Sequence, residues 1–323
     1  MSEMTFDDLW NQAMEHFQAA HYEDAYQVLT TEGARFPAQS HLVYYLHACA
    51  MARVGKTEQT VQLLDEAYQA GIWYTEQVMR QTPSFQSIQG HPAFEEIVPR
   101  FKAHQAEMER NIQPLLFIEE PEGGCTPERA CPLLLALHGN GQNGDLALND
   151  WRPIVAEGWL LAAAQSSQIT APNSFVWDEH ECSIREVQAH YADLTEKYTL
   201  DPTRLLVGGF SMGGEITIEA VLSGAIPARG FIVVGPGGPY MDNSSLWEPL
   251  IEGAGGRGLR GYILMGEADR TIPQEQIRVL VEKLNAAGIP CELEVHPTLQ
   301  HEFPAGFEQS LQKALAFVLR NEP

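Results

Sequence analysis

The sequence predicts two structural classes in series: an all-α segment over residues 1–110, then an α/β domain over residues 111–323 whose mostly parallel central sheet carries helices on both faces. Three observations predict this. From Thr5 to about Arg110 apolar residues recur three and four apart, with few β-branched runs and turn residues at Gly33, Pro37, Gly55 and Gly71. From Pro114 onward short apolar runs alternate with amphipathic stretches and with Gly- and Pro-rich loops. Those runs are nearly unbroken in apolar character, as strands buried on both faces must be. The change of texture falls at residues 108 to 113 and sets the domain boundary.

In the first segment Ala13, Phe17, Ala20, Tyr22, Ala25, Leu29 and Pro37 are spaced so that small residues let two antiparallel helices pack while aromatics fill the gaps. Gly55, Thr57, Thr60, Leu64 and Ala67 repeat the pattern about 35 residues later, near the 34-residue period of the tetratricopeptide repeat, which this stretch resembles. Two repeats bury too little surface alone, so helices near Thr75–Met79 and His91–Ala106 are expected to cap the array or to dock it on the second domain. The residues fit two roles equally: a groove for a peptide or partner subunit, and an appendage that stabilises a dimer or covers the active site. Tyr44, Tyr45, Trp73 and Tyr74 read as core.

In the second segment Leu115–Ile118, Leu133–Leu137, Trp159–Ala164, Leu205–Gly208, Gly230–Val234, Gly261–Met265 and Cys291–Val295 read as strands. Ile184–Tyr198, Met212–Leu222, Pro273–Ala287 and Phe307–Leu319 read as helices.

The chemistry centres on Leu205-Leu206-Val207-Gly208-Gly209-Phe210-Ser211-Met212-Gly213-Gly214, an apolar run that passes through Gly-x-Ser-x-Gly into a helix. At such an elbow the serine is strained and exposed, and the residues two before and two after it must lack side chains. A serine hydroxyl needs a base, and the base a carboxylate to orient it. Downstream of Ser211 stand two histidines. His301, in the loop after the last strand, is positioned to reach over the sheet and is read as the base; His296, at the strand end, is read as structural. Asp269, in the loop after Gly261–Met265, is read as the acid, with Glu267 in reserve. The turn Leu137-His138-Gly139-Asn140-Gly141-Gln142-Asn143-Gly144 can present amides to an oxyanion. The amide of Asn140, with Gly141 as a further candidate, is expected to join that of Met212.

These motifs resemble an α/β-hydrolase of the phospholipase/carboxylesterase type: Leu-His-Gly at 137–139, Gly-Phe-Ser-x-Gly-Gly at 209–214, Gly-x-x-Asp-x-x-x-Pro at 266–273 and the late His301. The resemblance implies an α/β-hydrolase fold and a serine hydrolase acting on carboxylic ester or thioester bonds with no metal or cofactor. Ser211, His301 and Asp269 would be nucleophile, base and acid. The serine argues against the cysteine-nucleophile dienelactone hydrolases of the same fold. The segment Pro236–Arg260 has room for a loop and one short helix, which favours an open cleft and small soluble esters over a lipase. Gly141, Phe175 and Trp177 are substrate-pocket candidates, although aromatics in loops serve packing as often. Two competing readings are a prolyl-oligopeptidase-like serine peptidase, against which the absence of a β-propeller counts, and a partner-binding repeat protein with a secondary hydrolase domain.

Composition narrows the partners. A net charge of −23 disfavours nucleic acid, anionic membranes and polyanionic substrates. The stretch Met1 to Gln12 carries Glu3, Asp7 and Asp8 and lacks the basic start and apolar run of a signal peptide. Five scattered cysteines fit a reducing compartment and a cytoplasmic location is expected; Cys125 and Cys131 could pair across a loop, but two free thiols is the favoured reading.

Overall fold

The structure, a computed structural model, describes residues 4–320; Glu3 of the acidic N-terminal stretch lies outside them. The chain divides into two compact units, Met1–Ile112 with Ile169–Pro172, and Gln113–Gln168 with Asn173–Pro323.

The first unit contains six α-helices among the described residues: α1 (Phe6–Gln18), α2 (Tyr22–Glu32), α3 (Ser40–Arg53), α4 (Thr57–Gln69), α5 (Glu76–Gln81) and α6 (Pro92–Glu109). A capping box starts α1, where Asp8 N donates to Thr5 Oγ1 at 3.1 Å and Thr5 N to Asp8 Oδ2 at 2.9 Å. Thr75 caps α5 by accepting from Val78 N. Leu9, Ala13, Ala25, Leu29, Leu46 and Ala50 form one core cluster. Helices α2 and α4 begin 35 residues apart, and the repeated positions Ala25 and Thr60, Leu29 and Leu64 are buried on both. Trp73 and Tyr74 are core residues, and the Tyr74 hydroxyl donates to the His41 carbonyl at 2.7 Å.

The second unit is built on strands β1 (Leu115–Glu119), β2 (Cys131–Leu137), β3 (Leu160–Gln165), β6 (Leu200–Phe210), β7 (Gly230–Val234), β8 (Arg260–Gly266) and β9 (Cys291–His296), in the order β1-β3-β2-β6-β7-β8-β9. Two short strands, β4 (Gln168–Ala171) and β5 (Ser174–Val176), lie outside this sheet. Within the seven-stranded sheet β1 runs antiparallel to β3, and the other pairings are parallel. Alternate residues of β2 enter different cores, as the two-residue period of a strand requires. Leu133, Leu135 and Leu137 pack with α9 (His180–Lys197), α10 (Ser211–Leu222), α12 (Glu248–Ala254) and α13 (Gln274–Ala286). Leu134 and Ala136 pack with α7 (Gly144–Trp151), α8 (Pro153–Ala156) and α14 (Phe307–Val318).

Two expectations need correction. The connection after β7 holds more than one short helix: α11 (Pro239–Asp242), a 3-10 turn at Ser244–Trp247 and α12, each of the two helices started by a proline in its first turn. Cys125 and Cys131 form a disulfide rather than two free thiols, with Cα atoms 5.3 Å apart. The intervening chain folds back on paired amide bonds between Thr126 and Arg129, and the Arg129 guanidinium binds the carbonyls of Glu122 and Gly124. That turn is what brings the sulfurs together. For so small a loop the entropic gain is modest, and reduction is expected to lower unfolding stability by about 2 kcal/mol, read by denaturant titration with and without a thiol reductant.

Candidate active site

Strand β6 lies mid-sheet and ends at Phe210; Ser211 follows at φ +52°, one of three non-glycine residues with positive φ among the described residues. That conformation costs about 1–2 kcal/mol and points the hydroxyl away from the sheet. The flanking glycines meet the steric demand. A Cβ on Gly209 would lie 2.3 Å from the Gly213 carbonyl oxygen, and one on Gly213 2.2 Å from that of His138. The Ser211 carbonyl accepts from Gly237 N at 3.1 Å, which ties the post-β7 loop to the elbow.

The loop after β9 returns His301 to this point. Its Nε2 lies 2.9 Å from Ser211 Oγ and its Nδ1 2.7 Å from Asp269 Oδ2. The ring is held between Phe210, at 4.8 Å, and Gly235, where a Cβ would approach it to 3.2 Å. Asp269 is almost fully buried, and its other oxygen accepts from Thr271 N at 2.8 Å and Ile272 N at 3.0 Å. Burial raises its pKa, but the bond to His301 and the two amides outweigh that and hold the carboxyl below its usual value. An ionised Asp269 accepts only, so the arrangement requires His301 Nδ1 to carry the proton and Nε2 to face the serine.

The turn after β2 is fixed from several sides. Gly141 N donates to Phe175 O at 2.8 Å and Gln142 N to Gly139 O at 3.1 Å, while Gln142 Oε1 accepts from Gly139 N. The Asn140 side chain is held at both ends: its Oδ1 accepts from Trp177 N at 3.0 Å and its Nδ2 donates to Asp178 Oδ1 at 2.8 Å. Among the described residues the Asn140 amide itself is left without an acceptor. Met212 N, in the first turn of α10, is free by its position in the helix.

The structure therefore gathers Ser211, His301 and Asp269 into one hydrogen-bonded chain. His296 stands apart, beside Glu294 and Ser310, and Glu267 is exposed. Three expectations change. The Gly141 amide is committed to Phe175, so it is no oxyanion donor. Trp177 is fully buried, its indole N–H donating to the His138 carbonyl at 2.9 Å, and Phe175 is 6% exposed. Both aromatics support the turn from behind instead of lining a pocket. The sequence reading missed Phe210, Gly235 and Asp178, which shape the site. It also missed a buried group against α10, in which Glu215 accepts from Tyr240 N and Met241 N and faces His180.

A mostly parallel sheet, a sharp strand-to-helix elbow at the end of its middle strand and helices on both faces make the second unit an α/β-hydrolase-like fold. A family model described as the A/B hydrolase-like N-terminal domain matches residues 5–109, and that of the dienelactone hydrolase family matches residues 162–316. The chain is similar to an uncharacterized protein from Bacillus cereus ATCC 10987, with 23% identity, 97% of this chain and 98% of that chain covered and a TM-score of 0.55. It is also similar to esterase PE8 (17% identity, 63% and 100% covered, TM-score 0.53) and to TT1662 from Thermus thermophilus (18%, 64% and 94%, 0.51). No curated protein matches the chain. The dienelactone hydrolase match supports hydrolase chemistry and corrects the separation drawn from the serine, because the matched segment contains Ser211, Asp269 and His301. The helical segment matches a hydrolase-associated domain, and the tetratricopeptide resemblance is carried no further. Among the described residues no helix is long and apolar enough to cross a membrane.

Proposed function

We propose that this protein is a serine hydrolase that cleaves carboxylic esters, thioesters included, through an acyl-enzyme on Ser211. The observation that carries the reading is the unbroken chain from Ser211 Oγ through His301 to Asp269 Oδ2, at 2.9 and 2.7 Å. As Ser211 attacks the ester carbonyl, its proton passes to His301 Nε2, and the ionised Asp269 stabilises the imidazolium. The amides of Asn140 and Met212 receive the charge that develops on the carbonyl oxygen. His301 returns the proton to the leaving alcohol or thiol, and water resolves the acyl-enzyme by the same path.

The substrates are small soluble esters, since the post-β7 connection is a run of short packed helices instead of a separate lid. An organophosphonate probe tests the assignment: covalent mass should map to the peptide holding Ser211, and labelling elsewhere, or none, would refute it. Asp269→Asn should keep the fold and lower kcat on p-nitrophenyl acetate about 10⁴-fold, because the amide no longer selects the working His301 tautomer. A loss under about tenfold would remove Asp269 from the mechanism.

A further inference from the structure

Several helices of this chain end in one geometry: a residue in the left-handed region follows the last turn, and the next amide bonds back to the third-last helical carbonyl. At the end of α4, after Gly71, Ile72 N donates to Ala67 O at 2.8 Å; at the end of α13, after Gly288, Ile289 N donates to Leu284 O at 2.9 Å. This turn sets the two bonded residues side by side, and in both cases they are buried and apolar. The end of α1 has the same bond, from His21 N to His16 O at 2.8 Å, but the juxtaposed residues are two histidines. The left-handed position there is Ala20, φ +57°, in place of glycine.

Asp24 joins them from the first turn of α2, its amide donating to the His21 carbonyl at 3.1 Å. The ligating atoms of His16, His21 and Asp24 lie within 4.8 Å of one another. His21 makes no side-chain capping bond, and among the described residues none of the three side chains is committed to a hydrogen bond or ion pair. His16 and Asp24 also line an open groove of about 430 Å³ between α1 and α2.

The geometry points to a binding site for a divalent transition cation, of which Zn²⁺ is the type, at the α1–α2 corner. Two imidazole nitrogens and one carboxylate oxygen form a donor set suited to Zn²⁺, Co²⁺ or Ni²⁺ and poor for Mg²⁺ or Ca²⁺. A tetrahedral ion with bonds of about 2.0–2.1 Å draws the donors inward by side-chain rotation, since His21 and Asp24 are exposed and His16 is half-buried, and leaves one position for water. The bound ion clips the end of α1 to the start of α2. It involves no residue of the proposed ester chemistry, so the two readings stand or fall separately.

The test is titration of the full-length, untagged, chelator-stripped protein with ZnCl2 followed by calorimetry, and with CoCl2 followed by visible absorption. One equivalent of Zn²⁺ should bind with micromolar affinity. His21→Ala and Asp24→Asn should each weaken it at least tenfold with unchanged circular dichroism, and Co²⁺ should give the absorption of a four-coordinate nitrogen and oxygen site. Zn²⁺ should raise the thermal midpoint of the wild type and leave that of His16→Ala unmoved. The absence of stoichiometric binding, or equal binding by His16→Ala/His21→Ala, would overturn the proposal. In that case His16 and Asp24 do no more than offset the dipoles of their helix ends.

Discussion

Ser211→Ala is expected to reduce hydrolysis of p-nitrophenyl esters by a factor on the order of 10⁵ or more, with little change in KM. The argument is geometric. Ser211 is the group that His301 Nε2 faces at 2.9 Å, and water in its place would lack both the fixed distance and the covalent intermediate. What remains comes from the oxyanion donors and from binding, which the substitution leaves untouched. Alanine keeps the backbone strain at φ +52° and loses the bond to His301, so the unfolding midpoint should fall by little. Paired measurement of kcat and the denaturation midpoint checks both halves. A variant that retains more than about a tenth of the activity would require another nucleophile.

The second large effect concerns stability. Glu215, one turn after Ser211 on α10, has no exposed surface and accepts from Tyr240 N at 3.0 Å and Met241 N at 2.8 Å. Facing it is His180, whose Nε2 lies 3.4 Å from Glu215 Oε1, whose Nδ1 lies 2.5 Å from Glu219 Oε2, and whose ring stacks on Tyr240 at 4.7 Å. Burial opposes a charge on His180, but the bonds to Glu215 and Glu219 outweigh it and raise the pKa to about 9. Glu215→Ala leaves His180 with Glu219 as its one carboxylate partner and strands the amides of Tyr240 and Met241, and should cost about 2–4 kcal/mol by urea denaturation. The pH dependence has a definite sign. A folded pKa above the unfolded value of about 6.5 means that the stabilisation is complete below about pH 6.5 and is lost as pH rises through about 9. Allowing for partial solvent screening, the loss is about 2 kcal/mol. His180→Gln should flatten that part of the stability curve, and parallel curves for variant and wild type would contradict the argument.

What could be read from the residues followed from local constraints. An apolar run ending in Gly-x-Ser-x-Gly admits few backbone solutions, so the elbow, β6 and α10 were legible; the same logic placed Asp269 and His301 in loops at strand ends. The features that escaped depend on contacts distant in sequence. Nothing local to α10 marks Glu215 and Glu219 as paired; their partner His180 stands at the start of α9, 39 positions from Glu219. The Gly141 amide and Trp177 changed role because Phe175 and His138 meet them across the turn, and although Pro127 marks a turn at Thr126–Arg129, its geometry and the Arg129 contacts that bring Cys125 to Cys131 appear only in the folded chain.

The partners of the Ser211 chain come from widely separated stretches: His301 stands 90 positions after Ser211 and 32 positions after Asp269. Each separation is spanned by parallel strand pairings, which close slowly because chain entropy is surrendered before any contact repays it. On dilution from denaturant, secondary structure should therefore return well before esterase activity, which should recover with the slowest phase of sheet formation. Stopped-flow circular dichroism beside a continuous ester assay would separate the two events.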